Sequence, residues 1–311
     1  MSRVAVLGGG SFGRALAIQA ARVGRNVILW SRAAREAPPG NVRTTTNLAE
    51  IAEAELVFVA APSIHVEALA REAGQHLDGS HLLVHVSRGL LGDELTPLTH
   101  VLRSVTPCRR VGVLAGPLVA HALAQGEPGG GIVGSLFPEV VESVREAIGG
   151  PMLRIYGTHD VVGVEIASAM VGLFALAIGY AQGRGFGPAT TAILATRGMA
   201  EAARVGLACG AVERTFSGLA GFGDLLAAVA GDARPESAFG RVLAEGVPLA
   251  DAAARAGAFV EGAAIAAHVT AFAQRRDLEA PISAGLAAIL SGTASGATVL
   301  GQLMSRPTRG E

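Results

Sequence analysis

The chain has 311 residues, half of them hydrophobic and 16% charged, with a net charge of −1. That is long enough for two domains that each bury a core, and the composition excludes a disordered chain. Near-neutrality without a basic run gives no electrostatic case for nucleic acid or an anionic membrane as partner.

The apolar runs VAVLG (4–8), NVILW (26–30), LVFVA (56–60), HLLVHV (81–86) and VGVLAG (111–116) have strand length and β-branched content. Helical spacing lies between several of them, at 11–23 and 63–76. Two further strands are predicted at 131–135 and 152–156, with a helix at 138–148 between them. Strands alternating with helices predict an α/β fold with a Rossmann-like, doubly wound parallel sheet. From about residue 158 the strand signals stop. Helices are predicted at 159–182, 188–209, 213–230, 237–245, 248–256, 261–275 and 281–291, an all-helical second half. The expected organisation is a dinucleotide-binding domain over 1–157 and a helical domain over 158–311, with a frayed tail at SRPTRGE.

The stretch GVEIASAMVGLFALAIG (163–179) carries no charge after Glu165 and is the most membrane-like segment. Its internal glycines, the acids at one end and the lack of a basic flank favour a buried helix, so no membrane is expected. MSRVAVLGGG has no extended apolar h-region and is not read as a signal peptide. Cys108 and Cys209 have no metal-ligand spacing and no disulfide framework, and read as buried thiols in a reducing cytoplasm. No metal site is expected.

GGGSFG at 8–13 is the sharpest local motif. Gly8, Gly10 and Gly13 satisfy G-x-G-x-x-G directly after a strand and at the opening of a helix. Gly8 permits the turn, Gly10 lets backbone approach a pyrophosphate, and Gly13 allows helix and strand to pack closely. The anion then meets unpaired N–H groups at the helix N-terminus. After the second strand comes Trp30-Ser31-Arg32, with Arg35 close behind and no acid before Glu36. An acid there suits a ribose 2′-hydroxyl and an arginine suits a 2′-phosphate, so NADP is favoured over NAD.

GGGSFGRALA, VILWSR, APS (61–63), SRGL (87–90), LAGPLVA (114–120), GVE (163–165), TRGMAE (196–201), GLAGFGDL (218–225), FG (239–240) and VEG (260–262) occur in one order along the chain. Together they resemble the bacterial type of NAD(P)-dependent glycerol-3-phosphate dehydrogenase, from residue 3 to about 305. The resemblance implies a cytoplasmic homodimer that reduces dihydroxyacetone phosphate to glycerol 3-phosphate for phospholipid synthesis. It assigns cofactor contacts to Ser11, Phe12, Ser31, Arg32, Pro62, Arg88, Ala120 and Glu261, and substrate contacts to Gly116, Leu118, Asp224 and Arg234. Asp224 also admits a plain reading as a helix cap.

Departures from the family pattern concentrate at its chemistry. The family has lysine at the position of Arg88; arginine keeps the charge but not the transferable proton. All 25 basic residues of this chain are arginine, so that exchange carries little weight. A family Lys-Asn pair falls on Val171-Gly172, and valine has no proton to give to a carbonyl oxygen. The family Ser-Arg-Asn of the phosphate loop falls on Arg234-Pro235-Glu236, and a family threonine falls on Ala228. A glutamate beside a phosphate is repulsive, whereas a one-residue rearrangement would bring Arg234 to the family position. Among other candidates, His121 follows the LAGPLVA segment and reads as a surface residue, and Asp160 reads as a helix cap. His65, His76, His81 and His85 read as surface or strand positions. Glu165, Arg197 and Glu201 read as a structural set of buried charges paired with one another. Three functions stay open: the family reaction with Arg88 and Asp224 at its centre, reduction of a different carbonyl substrate, and nucleotide binding without catalysis.

Overall fold

The computed structural model describes residues 3–230, 234–256 and 261–307. Met1 and Ser2 lie outside them, as do Val260 of the VEG segment and residues 308–311 of the expected frayed tail.

The first half contains β1 (Arg3–Leu7), α1 (Ser11–Arg22), β2 (Asn26–Trp30), β3 (Val42–Thr45) and a 3-10 turn (Leu48–Glu53). It continues with β4 (Leu56–Val59), α2 (Ser63–Ala73), β5 (Leu82–His85), α3 (Leu98–Val105), β6 (Val111–Ala115) and α4 (Ala120–Gln125). It ends with β7 (Gly129–Gly134), α5 (Pro138–Ile148) and β8 (Leu153–Thr158). The strands form one eight-stranded sheet in the order β3-β2-β1-β4-β5-β6-β7-β8. Every neighbouring pair is parallel except β6 and β7. The expected parallel sheet is therefore mixed, because the chain returns from β6 through the short α4 and enters β7 reversed.

Apart from the exposed Arg3, β1, β4, β5 and β6 are buried on both faces, which is why they read as continuous apolar runs. β3 escaped sequence reading because VRTT is a half-exposed edge strand without an apolar face. α3 escaped because its apolar positions follow a proline cap, Pro97, within a short element.

After Thr158 every described regular element is helical: α6 (Val161–Gly183), α7 (Pro188–Ala208), α8 (Arg214–Ser217), a π-helical turn (Leu219–Gly223) and α9 (Asp224–Val229). Then come α10 (Pro235–Ala244), α11 (Leu249–Ala256), α12 (Glu261–Arg275), α13 (Pro281–Leu290) and α14 (Gly296–Met304). The single helix expected over 213–230 is broken into three pieces, since the glycines of GLAGFG leave the α-helical ladder.

α6 is the central element and is long and apolar enough to cross a membrane, yet 83% of its apolar window is buried inside the fold. Asp160 caps it, accepting the Gly163 N–H at 3.0 Å on one oxygen. The other oxygen takes the Val212 N–H at 3.0 Å and the Thr215 hydroxyl at 2.5 Å, which ties the start of α6 to α8. Two glycine contacts let its neighbours come close. A Cβ on Gly240 of α10 would lie 2.2 Å from the Leu176 carbonyl, and one on Gly262 of α12 would lie 2.5 Å from the Gly172 carbonyl. Side chains at the beginnings of α10 and α12 are thereby carried to the same part of α6.

Candidate cofactor site and substrate cleft

The fingerprint loop has the geometry its glycines predict. Gly8 leaves β1 at φ +131, and its N–H donates to the Trp30 carbonyl at 2.9 Å. A Cβ on Gly13 would lie 1.9 Å from the Gly8 carbonyl oxygen, so α1 packs against the loop at backbone distance. A Cβ on Gly10 would meet nothing within 4 Å. Gly10 is also the N-cap of α1 and supplies no side-chain bond to the helix's free N–H groups. Open space therefore faces an uncapped helix N-terminus, and the residues present fit a dinucleotide pyrophosphate.

Around this loop Ser11 is exposed, while Phe12 is half-buried against the sheet core. Ser31 is buried and its hydroxyl donates to the Ala33 carbonyl at 2.6 Å, so it shapes the loop after β2. Arg32 is exposed. Arg35 is the arginine that lies against the fingerprint, with its Cδ 2.9 Å from where a Gly9 Cβ would stand. Arg14 donates to the Glu36 carbonyl at 2.7 Å and holds this segment to α1. Pro62 caps α2, and Ser87 donates to the neighbouring Ala61 carbonyl at 2.6 Å.

A second cluster forms where the segment after β5 meets α9, α10 and α12. Asp224 is completely buried, and its two oxygens are taken by different arginines: Arg88 Nη1 on Oδ2 and Arg234 Nη2 on Oδ1. Arg88 Nη2 lies 3.4 Å from Asp224 Oδ1 and 3.5 Å from the Gly116 carbonyl. Asp224 makes no helix-capping bond, so the cap reading is corrected: two guanidinium groups hold it instead. Arg234 is the N-cap residue of α10, placed there because Pro235 starts the helix. Glu236, in the first turn of α10, is 92% buried by its 8% exposure and lies 3.8 Å from where a Gly172 Cβ would stand. Glu261, at the start of α12, accepts the Ser63 N–H at 2.6 Å. Arg234 Nε, Glu236 Oε2 and Glu261 Oε2 are all buried without a partner among the described residues.

Burial works against the Arg88 charge, but Asp224, Glu236 and Glu261 outweigh it and hold the guanidinium above its ordinary range. Burial, followed by repulsion from Arg88, pulls Arg234 below its ordinary range against the carboxylates. Burial also pushes the Glu261 carboxyl up, opposed by its bonds to Ser63 and Arg88.

Gly116 stands at φ +110 at the end of β6. Leu118 is buried and its N–H donates to the Gly116 carbonyl at 2.6 Å, while Ala120 opens α4 half-buried. Val171 is 1% exposed and belongs to the apolar cluster around α6.

His121 is exposed, the surface position expected from the sequence, and pairs with Gln125 at 3.0 Å. The expected set of buried, paired charges changes: Arg197 is exposed, and Glu165 and Glu201 take other partners. Glu165 bonds His85 Nε2 at 2.9 Å and the Thr99 N–H at 3.0 Å, and His85 is the buried last residue of β5. Glu201 accepts the Ile282 and Ser283 N–H groups, each at 2.9 Å, and so caps α13. A buried carboxylate at a helix start is satisfied by backbone donors, which sequence spacing does not reveal. Cys108 is buried, whereas Cys209 is only half-buried; burial raises both thiols above their ordinary range.

The N-terminal profile of NAD-dependent glycerol-3-phosphate dehydrogenase matches residues 3–38 and 36–139, and its C-terminal profile matches 160–300. A glycerol-3-phosphate dehydrogenase [NAD(P)+] from a Bradyrhizobium species is 34% identical, covering 99% of this chain and 98% of the relative. One from Methylibium petroleiphilum is 36% identical with the same coverage. The crystal structure of the Coxiella burnetii glycerol-3-phosphate dehydrogenase superposes with a TM-score of 0.91 at 26% identity, over 98% of this chain and 99% of that one. With both profiles matched in order, these full-length similarities and one shared architecture, the chain belongs to the NAD(P)-dependent glycerol-3-phosphate dehydrogenase family.

Proposed function

We propose that the protein moves hydride between a nicotinamide dinucleotide, preferably NADP, and a small carbonyl or alcohol substrate held beside Arg88 and Asp224. Two units serve this reading, a dinucleotide-binding domain over 1–157 and a helical substrate domain over 158–311, in a cytoplasmic homodimer. The observation that carries it is the uncapped N-terminus of α1 facing open space, with the part-buried Arg88 on the buried Asp224 at the end of a sheet strand. In doubly wound sheets, ligands bind outside the carboxyl ends of the strands.

In this reading Gly8, Gly10, Ser11, Phe12 and Gly13 hold the dinucleotide, with Ser31, Arg32 and Arg35 on its ribose side. Pro62, Ala120 and Glu261 border its nicotinamide end, and the bound cofactor supplies the hydride. Gly116, Leu118, Asp224 and Arg234 border the substrate. Arg88, kept cationic by three surrounding carboxylates, polarises the substrate oxygen and stabilises negative charge developing there. It does so without releasing its own proton. Val171 provides no acid, so the proton comes from solvent. A positioned acid is typically worth about 10²- to 10⁴-fold, and the family reaction on dihydroxyacetone phosphate is expected to run slower by that order.

The test is NADPH oxidation with dihydroxyacetone phosphate, followed with cofactor fluorescence. NADPH binding with measurable turnover, about 10²- to 10⁴-fold below that of the Bradyrhizobium relative, supports the proposal. Equal turnover refutes the reading of Val171, and absence of NADPH binding refutes the proposal as a whole.

A further inference from the structure

We infer that the cleft recognises an uncharged, hydroxyl-bearing carbonyl compound or its polyol, and discriminates against a phosphate ester. This rests on the oxidoreductase reading above. The buried cluster holds three carboxylates, Asp224, Glu236 and Glu261, against two guanidinium groups, Arg88 and Arg234. Both arginines are already turned onto Asp224. Among the described residues, the buried side-chain atoms left without a partner here are the acceptors Glu236 Oε2 and Glu261 Oε2 and the donor Arg234 Nε; with Glu261 beside the cofactor, Glu236 Oε2 and Arg234 Nε remain for the substrate. Buried acceptors require donors, and a hydroxyl provides both a donor and an acceptor. A phosphate dianion provides acceptors and two further negative charges.

The start of α10 leads to the same ligand. A helix N-terminus attracts an anion through its free N–H groups and its dipole. Here Pro235 removes one of those N–H groups, and the acid that complements the dipole is Glu236 itself. Beside Glu236 the helices are close-packed: a Cβ on Gly172 would already stand in ordinary contact, 3.7 Å from the Gly262 nitrogen and 3.8 Å from the Glu236 side chain. What this point offers a ligand hydroxyl is the acceptor Glu236 Oε2.

The test compares dihydroxyacetone with dihydroxyacetone phosphate as substrates of the full chain with NADPH, in wild type and in Glu236→Gln. The expected wild-type result is kcat/KM at least about tenfold higher for dihydroxyacetone. Glu236→Gln is expected to narrow that ratio, losing efficiency on the uncharged ketone and gaining it on the phosphate ester. A wild-type ratio below that, or one in favour of the ester, overturns the inference while leaving the oxidoreductase reading intact. If NADPH binds but neither ketone is reduced, that reading fails and binding decides the inference. Thermal protection of the NADPH complex by glycerol but not by inorganic phosphate supports it, and protection by phosphate overturns it.

Discussion

Substitution of alanine at two positions of the fingerprint separates folding from cofactor binding. At Gly13 an added Cβ would sit 1.9 Å from the Gly8 carbonyl oxygen and 3.3 Å from the Ala60 Cβ. Ordinary van der Waals contact needs more than an ångström of further separation, and both atoms belong to the buried joint between β1, β4 and α1. Overpacking of this kind costs about 1–3 kcal/mol, and a rigid backbone acceptor places Gly13→Ala at or above the top of that range. With 311 residues and about 2.1 cal/mol/K of unfolding entropy each, 3 kcal/mol lowers Tm by about 5 °C. At Gly10 the added Cβ meets nothing, and φ is −72, which alanine adopts without strain. Gly10→Ala is therefore expected to hold its Tm within about 1 °C, since its changes amount to a few tenths of a kcal/mol. Its NADPH affinity, read by fluorescence titration, should fall by about tenfold or more, because the methyl group occupies the space offered to the pyrophosphate. A Gly10→Ala protein that binds NADPH as wild type does would refute this placement. A Gly13→Ala protein with unchanged Tm would refute the packing argument.

Asp224→Asn removes the buried carboxylate that one buried and one part-buried guanidinium group share, and losing one partner of a buried ion pair typically costs about 3–5 kcal/mol. Thermal unfolding should show a Tm drop of about 5 °C or more, smaller when Arg234→Met is already present; additive effects would argue against coupling. Arg35→Ala, at the residue lying on the fingerprint loop, should weaken NADPH binding by about tenfold and leave NADH binding nearly unchanged. Equal losses for both cofactors would remove Arg35 from the 2′-phosphate. Glu201 is pushed above the ordinary glutamate range by burial, against its bonds to Ser283 and Ile282. A raised carboxyl contributes stability below its unfolded pKa and loses it as pH rises through its folded value. Denaturant unfolding should therefore lose more stability between mildly acidic and neutral pH in wild type than in Glu201→Gln. Parallel pH profiles would contradict the shift.

The alternation of short β-branched runs with amphipathic stretches was legible in the sequence, because strand and helix periods are local properties. The fingerprint was legible for the same reason. GGGSFG lies between β1 and α1 in both sequence and space, so spacing alone carries its geometry. Sequence also marked Asp224, Arg88 and Arg234 as residues of interest, but only through their resemblance to a family pattern. Packing decided that they form one cluster. Arg88 and Asp224 are 136 positions apart, and they meet because the segment after β5 faces the start of α9. Arg234 joins them because Pro235 begins α10 and leaves the arginine at the helix cap. Glu236 faces Gly172 because Gly240 and Gly262 let α10 and α12 approach the backbone of α6. The same distinction accounts for β3, an edge strand whose pairing with β2 substitutes for an apolar face, and for Glu165 and Glu201, whose partners lie 80 and 81 positions away. Periodicity records which face of an element avoids water. Which charges share a buried site depends on helix-to-helix approach, and that was fixed by the absence of a Cβ at a few contact points.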